Sequence, residues 1–353
     1  MSGVSLSSLT TMRVGGPARA LVTPASAEDL VAAVSRLDAA GEPVFIIGGG
    51  SNLLVGDDGV DATVVKVTHA DVAVEPLTDG GVRMTAGAGA DWDAIVADSV
   101  ARGLGGLECL SGIPGSVGAT PVQNVGAYGV EVADVLDGVE LFDRTDGTRT
   151  WVAPAALGLG YRTSALKHRD ERIVLSVAFR LTDDGVSAPV RYRELATALG
   201  VAMGDRAPVA DVRAAVLALR AGKGMVLDAD DPDTWSSGSF FTNPVVTEDA
   251  LPAIEAAVRA RTGSTDMPRF PAEGGVKLSA GWLIERAGFT RGFPDAQAPA
   301  RLSTKHTLAL TNRGTATSQD IVALARRVRD GVYDAFGVSL HPEPVLVGCS
   351  LDI

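Results

Sequence analysis

The sequence predicts an α+β chain built in two parts. Three observations lead there. Apolar runs of strand length at residues 43–47, 63–67, 82–86, 135–143 and 173–181 alternate with segments of helical period. A βαβ-like unit opens the chain, with a glycine loop at residues 48–52 inside it. The composition then shifts near Asp183, which suggests one part over residues 13–183 and another over 205–348.

Each element has a local cause. Gly15-Gly16-Pro17 is turn chemistry. Ser26 can cap a helix with Glu28 and Asp29 in its first turn, and Leu30, Val31, Val34 and Leu37 make one apolar face. Gly41 ends it. Residues 43–47 read as a short buried strand and 63–67 as a second, with Asp57-Asp58-Gly59 turning between them. Trp92, Ile95, Val96 and Val100 have helical spacing. Strands at 135–143 and 173–181 enclose an Asp146-Gly147 turn and a basic stretch, 158–169. A helix is expected over 205–221, with Val212, Val216 and Leu219 on one face, and another from Glu248 to about Arg261. A strand is expected at 307–310. Ile321, Leu324, Val328 and Val332 predict a long helix over 318–336, stopped by Gly337. Residues 340–348 read as a final strand.

The chain has 353 residues, 46% hydrophobic and 21% charged, which suits a globular protein with a sizeable core. A net charge of −12 argues against non-specific binding of nucleic acid or anionic membrane. Any anionic ligand must be held by local Arg and Lys. The N-terminal stretch lacks a basic start followed by an apolar core, and no apolar run is long enough to span a bilayer. A cytoplasmic protein without membrane insertion, acting as a monomer, is expected. Cys109 and Cys349 cannot build a structural zinc site alone, so no metal site is expected, and no disulfide between them either.

The chemistry concentrates at residues 103–129, GLGGLECLSGIPGSVGATPVQNVGAYG. Glycines there alternate with Leu, Ile, Val, Pro, Gln and Asn, unlike a flexible linker. Such glycines suit backbone that takes positive φ or presses against something flat or anionic, and their N–H groups can nest phosphate oxygens. A cofactor cradle and a tight structural loop fit this stretch about equally well. The loop at 48–52 fails the dinucleotide fingerprint, because Leu53 stands where the third glycine belongs and no helical pattern follows. It is no P-loop either, since Gly-Lys-Ser/Thr is absent. The first part reads as a cofactor part and the second as a substrate part.

Several blocks together resemble one family: VGGPA, IIGGGSNLL, LSGIPGSVGATPVQNVGAYG, YRTSALKHR, GSFFTNPVV, KLSAGWLIERAG and HPEPVLVG. In this order they resemble UDP-N-acetylenolpyruvoylglucosamine reductases, from about residue 10 to 348. The resemblance implies a vanillyl-alcohol-oxidase/PCMH-type FAD-binding domain of two α/β subdomains, followed by a C-terminal α+β substrate domain. It implies non-covalent FAD, NADPH as co-substrate and a UDP-sugar as substrate, in bacterial peptidoglycan precursor synthesis. It also implies the subfamily whose insertion carries a closing tyrosine, here Tyr192 in residues 190–195.

The implied chemistry needs a cation where enolate charge develops and a donor for a proton. Arg162 matches the family's carboxylate-binding cation, Ser239 its proton donor and Glu343 its catalytic glutamate. Read without the family, these would be a surface Arg, a turn Ser and a strand-edge Glu. Lys223, Asn243 and Lys277, with Tyr192, are candidate substrate contacts, and His306 falls where other members carry a polar donor. For FAD, Gly48, Gly49, Gly50, Ser51 and Asn52 form one phosphate loop. Ser111, Gly112, Ile113, Pro114, Gly115, Ser116 and Gly118 run along the diphosphate and ring. Gln123, Asn124, Gly126, Ala127 and Tyr128 complete the cradle. A non-catalytic binding protein on the same scaffold is disfavoured because Arg162, Ser239 and Glu343 are all present. A flavin oxidase is disfavoured by the GSFFTNP and KLSAGW blocks.

Overall fold

The computed structural model describes residues 4–264 and 266–352. The chain forms two compact units. The first comprises residues 1–4, 18–50 and 61–226, and the second residues 5–17, 51–60 and 227–353.

In the first unit, helix α1 spans Ala27–Ala39, and the Ser26 side chain accepts from the Asp29 N–H, as the cap predicts. Leu30, Val34 and Leu37 are buried, while Val31 is half-buried. Strand Val44–Ile47 pairs parallel with Val60–Lys66, so the βαβ-like reading holds. The larger sheet has five antiparallel strands in the order Arg149–Val152, Leu136–Asp143, Arg172–Leu181, Val82–Gly87, Val72–Pro76. Its central strand, Arg172–Leu181, is buried nearly throughout. Helix α2, Trp92–Ala101, brings Trp92 into the core. The Trp92 indole N–H donates to Leu110 O at 3.0 Å, and the ring meets Phe179 edge-on at 5.7 Å. Helices α3, Arg193–Leu199, and α4, Val209–Gly222, follow. Their Leu195, Val212 and Val216 join the same core. The run of residues 61–226 in the first unit gives way to the second at Val226–Leu227. Helix α4 starts at Val209, four residues later than its sequence suggests, because Pro208 stays extended in front of it.

The second unit holds α5, Leu251–Thr262, α6, Ala280–Arg286, and α7, Ser318–Phe336. Helix α7 has the predicted bounds: Thr317 and Asp320 form a capping box, and Gly337 closes it at φ 69°. Its Ile321, Leu324, Val328 and Val332 line the second core with Leu283, Ile284 and Phe240. A three-stranded antiparallel sheet runs Val245–Val246, Gly275–Leu278, Arg269–Ala272. The strand expected at 307–310 sits instead at Leu310–Asn312, paired with Ala300–Leu302. The final strand is shorter than expected, Val345–Val347, because Pro342 and Pro344 lack the N–H a ladder needs. It pairs parallel with Leu53–Val55.

Candidate active site

In the first unit two glycine loops lie backbone to backbone. A Cβ on Gly48 would collide with Ser116 Oγ, and one on Gly49 would stand 2.6 Å from Gly115 Cα. The 111–118 loop is pinned by backbone bonds: Trp92 N–H to Gly115 O (3.0 Å), Val117 N–H to Ala90 O (2.9 Å) and Gly118 N–H to Ala88 O (2.8 Å). Ser111 is fully buried, and its hydroxyl donates to Glu108 O at 2.7 Å. Ile113 and Pro114 are half-buried between them. This surface has its side chains pared away, which fits a flat, phosphate-bearing cofactor such as FAD.

Sequence reasoning missed what holds Gly112. Its N–H donates to Asp93 Oδ1 at 2.6 Å, and the same carboxylate takes a bidentate pair from Arg213 at 2.7 and 2.8 Å. Burial works to raise the Asp93 pKa, but the bonds from Arg213 and Gly112 hold it below the usual carboxylate range. No local motif marks this trio, because its members lie far apart in sequence.

A short hairpin, Gly126–Ala127 with Val130–Glu131, carries the rest of the expected cradle. Asn124 is buried at φ 47° with its side chain spent on Glu131, Gly160 and Ala133, so it holds the loop from within. Gln123 beside it is half-buried. Arg162 has φ 55° and donates from Nη2 to Gly126 O at 2.8 Å. Lys167 Nζ donates to Arg162 O at 2.9 Å. Left-handed backbone at an arginine is costly and recurs at functional sites. Tyr128, at φ 51°, meets Tyr192 edge-on at 5.4 Å, and burial pushes its phenol up to about 12. Tyr192 is 43% exposed. Lys223 Nζ pairs with Glu194 at 2.5 Å and lies 5.9 Å from the Tyr128 ring.

Ser239 and Glu343 belong to the second unit, where an isolated bridge between their two segments brings them together. Phe240, next to Ser239, receives the Glu343 N–H on its carbonyl at 2.8 Å, and Thr242 N–H donates to His341 O at 3.0 Å. Phe241 bridges Pro342 in antiparallel register. Gly238 has φ 75° with no atom within 4 Å of a Cβ position, so the approach to Ser239 is open there. Asn52 donates from its amide to Glu343 O at 3.3 Å, and Val345 N–H donates to Asn52 O at 2.9 Å. The loop expected as one phosphate binder is thus divided: Gly48, Gly49 and Gly50 lie in the first unit, Ser51 and Asn52 in the second. Asn243 Oδ1 accepts from Ala280 N–H at 3.0 Å at the start of α6. Lys277 lies on Gly275–Leu278, opposite Val245 and Phe270. Among the described residues no His, Cys, Asp and Glu group could hold a metal, and both cysteines are free.

Residues 230–347 match the family described as UDP-N-acetylenolpyruvoylglucosamine reductase, C-terminal domain, and residues 18–153 match an FAD binding domain. A UDP-N-acetylenolpyruvoylglucosamine reductase of Nocardia farcinica is 63% identical over 99% of this chain and 90% of its own length. The chain belongs to the UDP-N-acetylenolpyruvoylglucosamine reductase family. Another of these reductases, from Mycolicibacterium gilvum, is 60% identical over 99% of the chain and 96% of its own length. The crystal structure of the Thermus caldophilus reductase superposes with a TM-score of 0.64 at 28% identity, covering 98% of this chain and 97% of that one. The α+β architecture, a flavin-binding module followed by a C-terminal domain, is that of the reductase family.

Proposed function

We propose that this protein reduces the enolpyruvyl group of UDP-N-acetyl-3-O-(1-carboxyvinyl)-glucosamine to UDP-N-acetylmuramate, as an FAD-dependent NADPH oxidoreductase of peptidoglycan precursor synthesis. Bound FAD supplies the hydride relay from NADPH to the enolpyruvyl β-carbon. The chain's own residues do the rest. The 48–52 and 111–118 loops, with Gln123, Asn124, Gly126, Ala127 and Tyr128, hold the cofactor through backbone. Arg162 meets the substrate carboxylate and steadies the negative charge that develops there. Ser239 delivers a proton to the α-carbon. A serine hydroxyl is a weak acid, so Glu343 assists, either by donating a hydrogen bond to the enolate or by organising the cation. Lys223, Lys277 and Asn243 take up the sugar nucleotide, and Tyr192 closes over it as the insertion of its subfamily.

The observation that best supports this reading is the bridge between the Ser239 and Glu343 segments within one unit, next to an open face at Gly238. No helix among the described residues is long and apolar enough to cross a membrane. We assign the protein to the cytoplasm, as a monomer, with roles in cell shape and division that follow from the pathway. The decisive experiment is anaerobic: reduce the protein with NADPH, then add the enolpyruvyl substrate. Flavin reoxidation with formation of the muramate supports the function. A protein that is reduced by NADPH but is reoxidised only by oxygen defeats it and favours an oxidase.

A further inference from the structure

The segment that carries Ser239 hangs between fixed points, and the first of them is a buried carboxylate. Asp233 is 5% exposed. Its Oδ1 accepts the Thr304 N–H at 2.9 Å and Arg313 Nη1 at 2.9 Å, and its Oδ2 accepts the Thr304 hydroxyl at 2.5 Å. Burial works to raise the Asp233 pKa, but the bonds from Thr304 and the charge of Arg313 hold it below the usual carboxylate range. Beyond Thr304 the chain closes into a tight turn. Ser303 N–H donates to Ala309 O at 2.8 Å, and Ser303 Oγ accepts from the Lys305 and His306 N–H groups at 3.0 and 3.3 Å. Leu308, in the same turn, accepts the Phe240 N–H on its carbonyl at 2.8 Å. Asp233 thus grips one side of the 303–309 turn, and the other side grips the residue directly after Ser239.

Two more bonds fix the chain just after Asp233. Asn312 N–H donates to Trp235 O at 3.0 Å, and the Thr11 hydroxyl donates to Ser236 O at 2.7 Å. Only Ser237, Gly238 and Ser239 then separate Ser236 from Phe240. The Ser237 hydroxyl is buried without a hydrogen-bond partner, so it adds no anchor. A span of three residues has little slack to absorb a shift of either end. Stability alone does not account for the carboxylate, because a buried ion pair contributes little net stability and its best-attested use is to fix register. We propose that Asp233 is a positioning residue for the reaction: by locking the 303–309 turn to the start of its own segment, it sets where the Ser239 hydroxyl stands. The proposal rests on the reading of Ser239 as proton donor and extends it to a residue outside every block that resembles the family.

The test uses full-length Asp233→Asn, which keeps the shape and an acceptor for Thr304 but gives up the charge opposite Arg313. Stopped-flow separates the two half-reactions under anaerobic conditions. Reoxidation by saturating enolpyruvyl substrate should slow about tenfold to hundredfold, since a misplacement of 1 Å can cost about that much. Reduction by NADPH and the half-saturating substrate concentration should stay within about threefold of the parent. The same change in a Ser239→Ala background should slow reoxidation by less than about twofold further, because two residues that act through one group are not additive. Thr304→Val removes one bond and keeps the ion pair; it should show the same pattern at smaller size, and it carries the test if the asparagine variant does not fold. Reoxidation within about twofold of the parent in every variant that folds overturns the proposal. So does equal slowing of both half-reactions, or an undiminished effect in the Ser239→Ala background, either of which makes Asp233 a general structural support. A parent protein that the enolpyruvyl substrate does not reoxidise sinks the proposed function itself, and this inference with it.

Discussion

Replacing Asp93 with alanine should loosen the 111–118 loop, proposed to hold the cofactor, from beneath. The change strips Gly112 N–H of its acceptor and leaves Arg213, whose side chain is 17% exposed, without its carboxylate. A buried donor left unmatched costs about 1–3 kcal/mol. Breaking a buried ion pair costs about 3–5 kcal/mol. The Asp93 side chain is itself 33% exposed, so solvent screening moves both figures to their lower ends. A loss of roughly 2–4 kcal/mol is expected for the trio. For a unit of this size each kcal/mol moves the melting temperature by about 2–4 °C, so Asp93→Ala should melt roughly 5–15 °C lower. Asp93→Asn keeps an acceptor and should lose less than half of that. The pH dependence has a definite sign. The folded-state pKa of Asp93 is depressed, so its contribution is present above the unfolded value of about 3.9 and disappears as pH falls through the folded value. The gap between parent and Asp93→Ala should therefore narrow in acid. Differential scanning fluorimetry and the ratio of flavin to protein absorbance read both effects. An alanine variant that melts within about 2 °C of the parent with full flavin would refute the reasoning.

Ser239→Ala should leave reduction by NADPH nearly unchanged and slow reoxidation by the enolpyruvyl substrate by about 10²–10⁴-fold, since a positioned proton donor is worth that much. Stopped-flow of the two half-reactions checks it, and equal slowing of both ends the assignment. Tyr192→Phe should weaken sugar-nucleotide binding with flavin content intact; loss of flavin would make Tyr192 structural. FAD should stay in the supernatant after acid precipitation, because the cradle is backbone. Glu108 is fully buried, and burial raises its pKa above the ordinary value despite the Gly106 N–H on its carboxylate. Its folded form holds the proton more tightly, so stability should fall as pH rises from the unfolded value of about 4.3 toward the folded one. Glu108→Gln should remove that fall and melt no lower than the parent at neutral pH.

Strong periodicity made the long elements legible. Helix α7 was readable to the residue because apolar spacing, a capping residue and Gly337 all agree. The strands Val72–Pro76 and Arg149–Val152 were not, because they lie at sheet edges and expose most of their side chains. The strand at Leu310–Asn312 was displaced from its expected place, since an apolar run alone does not fix a register. The glycines, Arg162, Ser239 and Glu343 stood out through motifs. Asp93, Arg213 and Asp233 did not, because each acts on residues distant in sequence. The division of the 48–52 loop was equally hidden: Asn52 bonds to Glu343, 291 positions away.

That bond sets an order of events during synthesis. The second unit takes residues 5–17 and 51–60 from the start of the chain and waits for 227 onward to close around them. Leu53–Val55 stays without its parallel neighbour until Val345–Val347 leaves the ribosome. Most of the first unit is a continuous run, 61–226, and can collapse while translation continues. Glu343 is among the last residues made, and it is anchored by some of the earliest. A nascent chain can thus complete most of its proposed cofactor loops well before its proposed acid–base residues exist. The unpaired early strand, held open through that interval, is the segment most in need of protection by a chaperone.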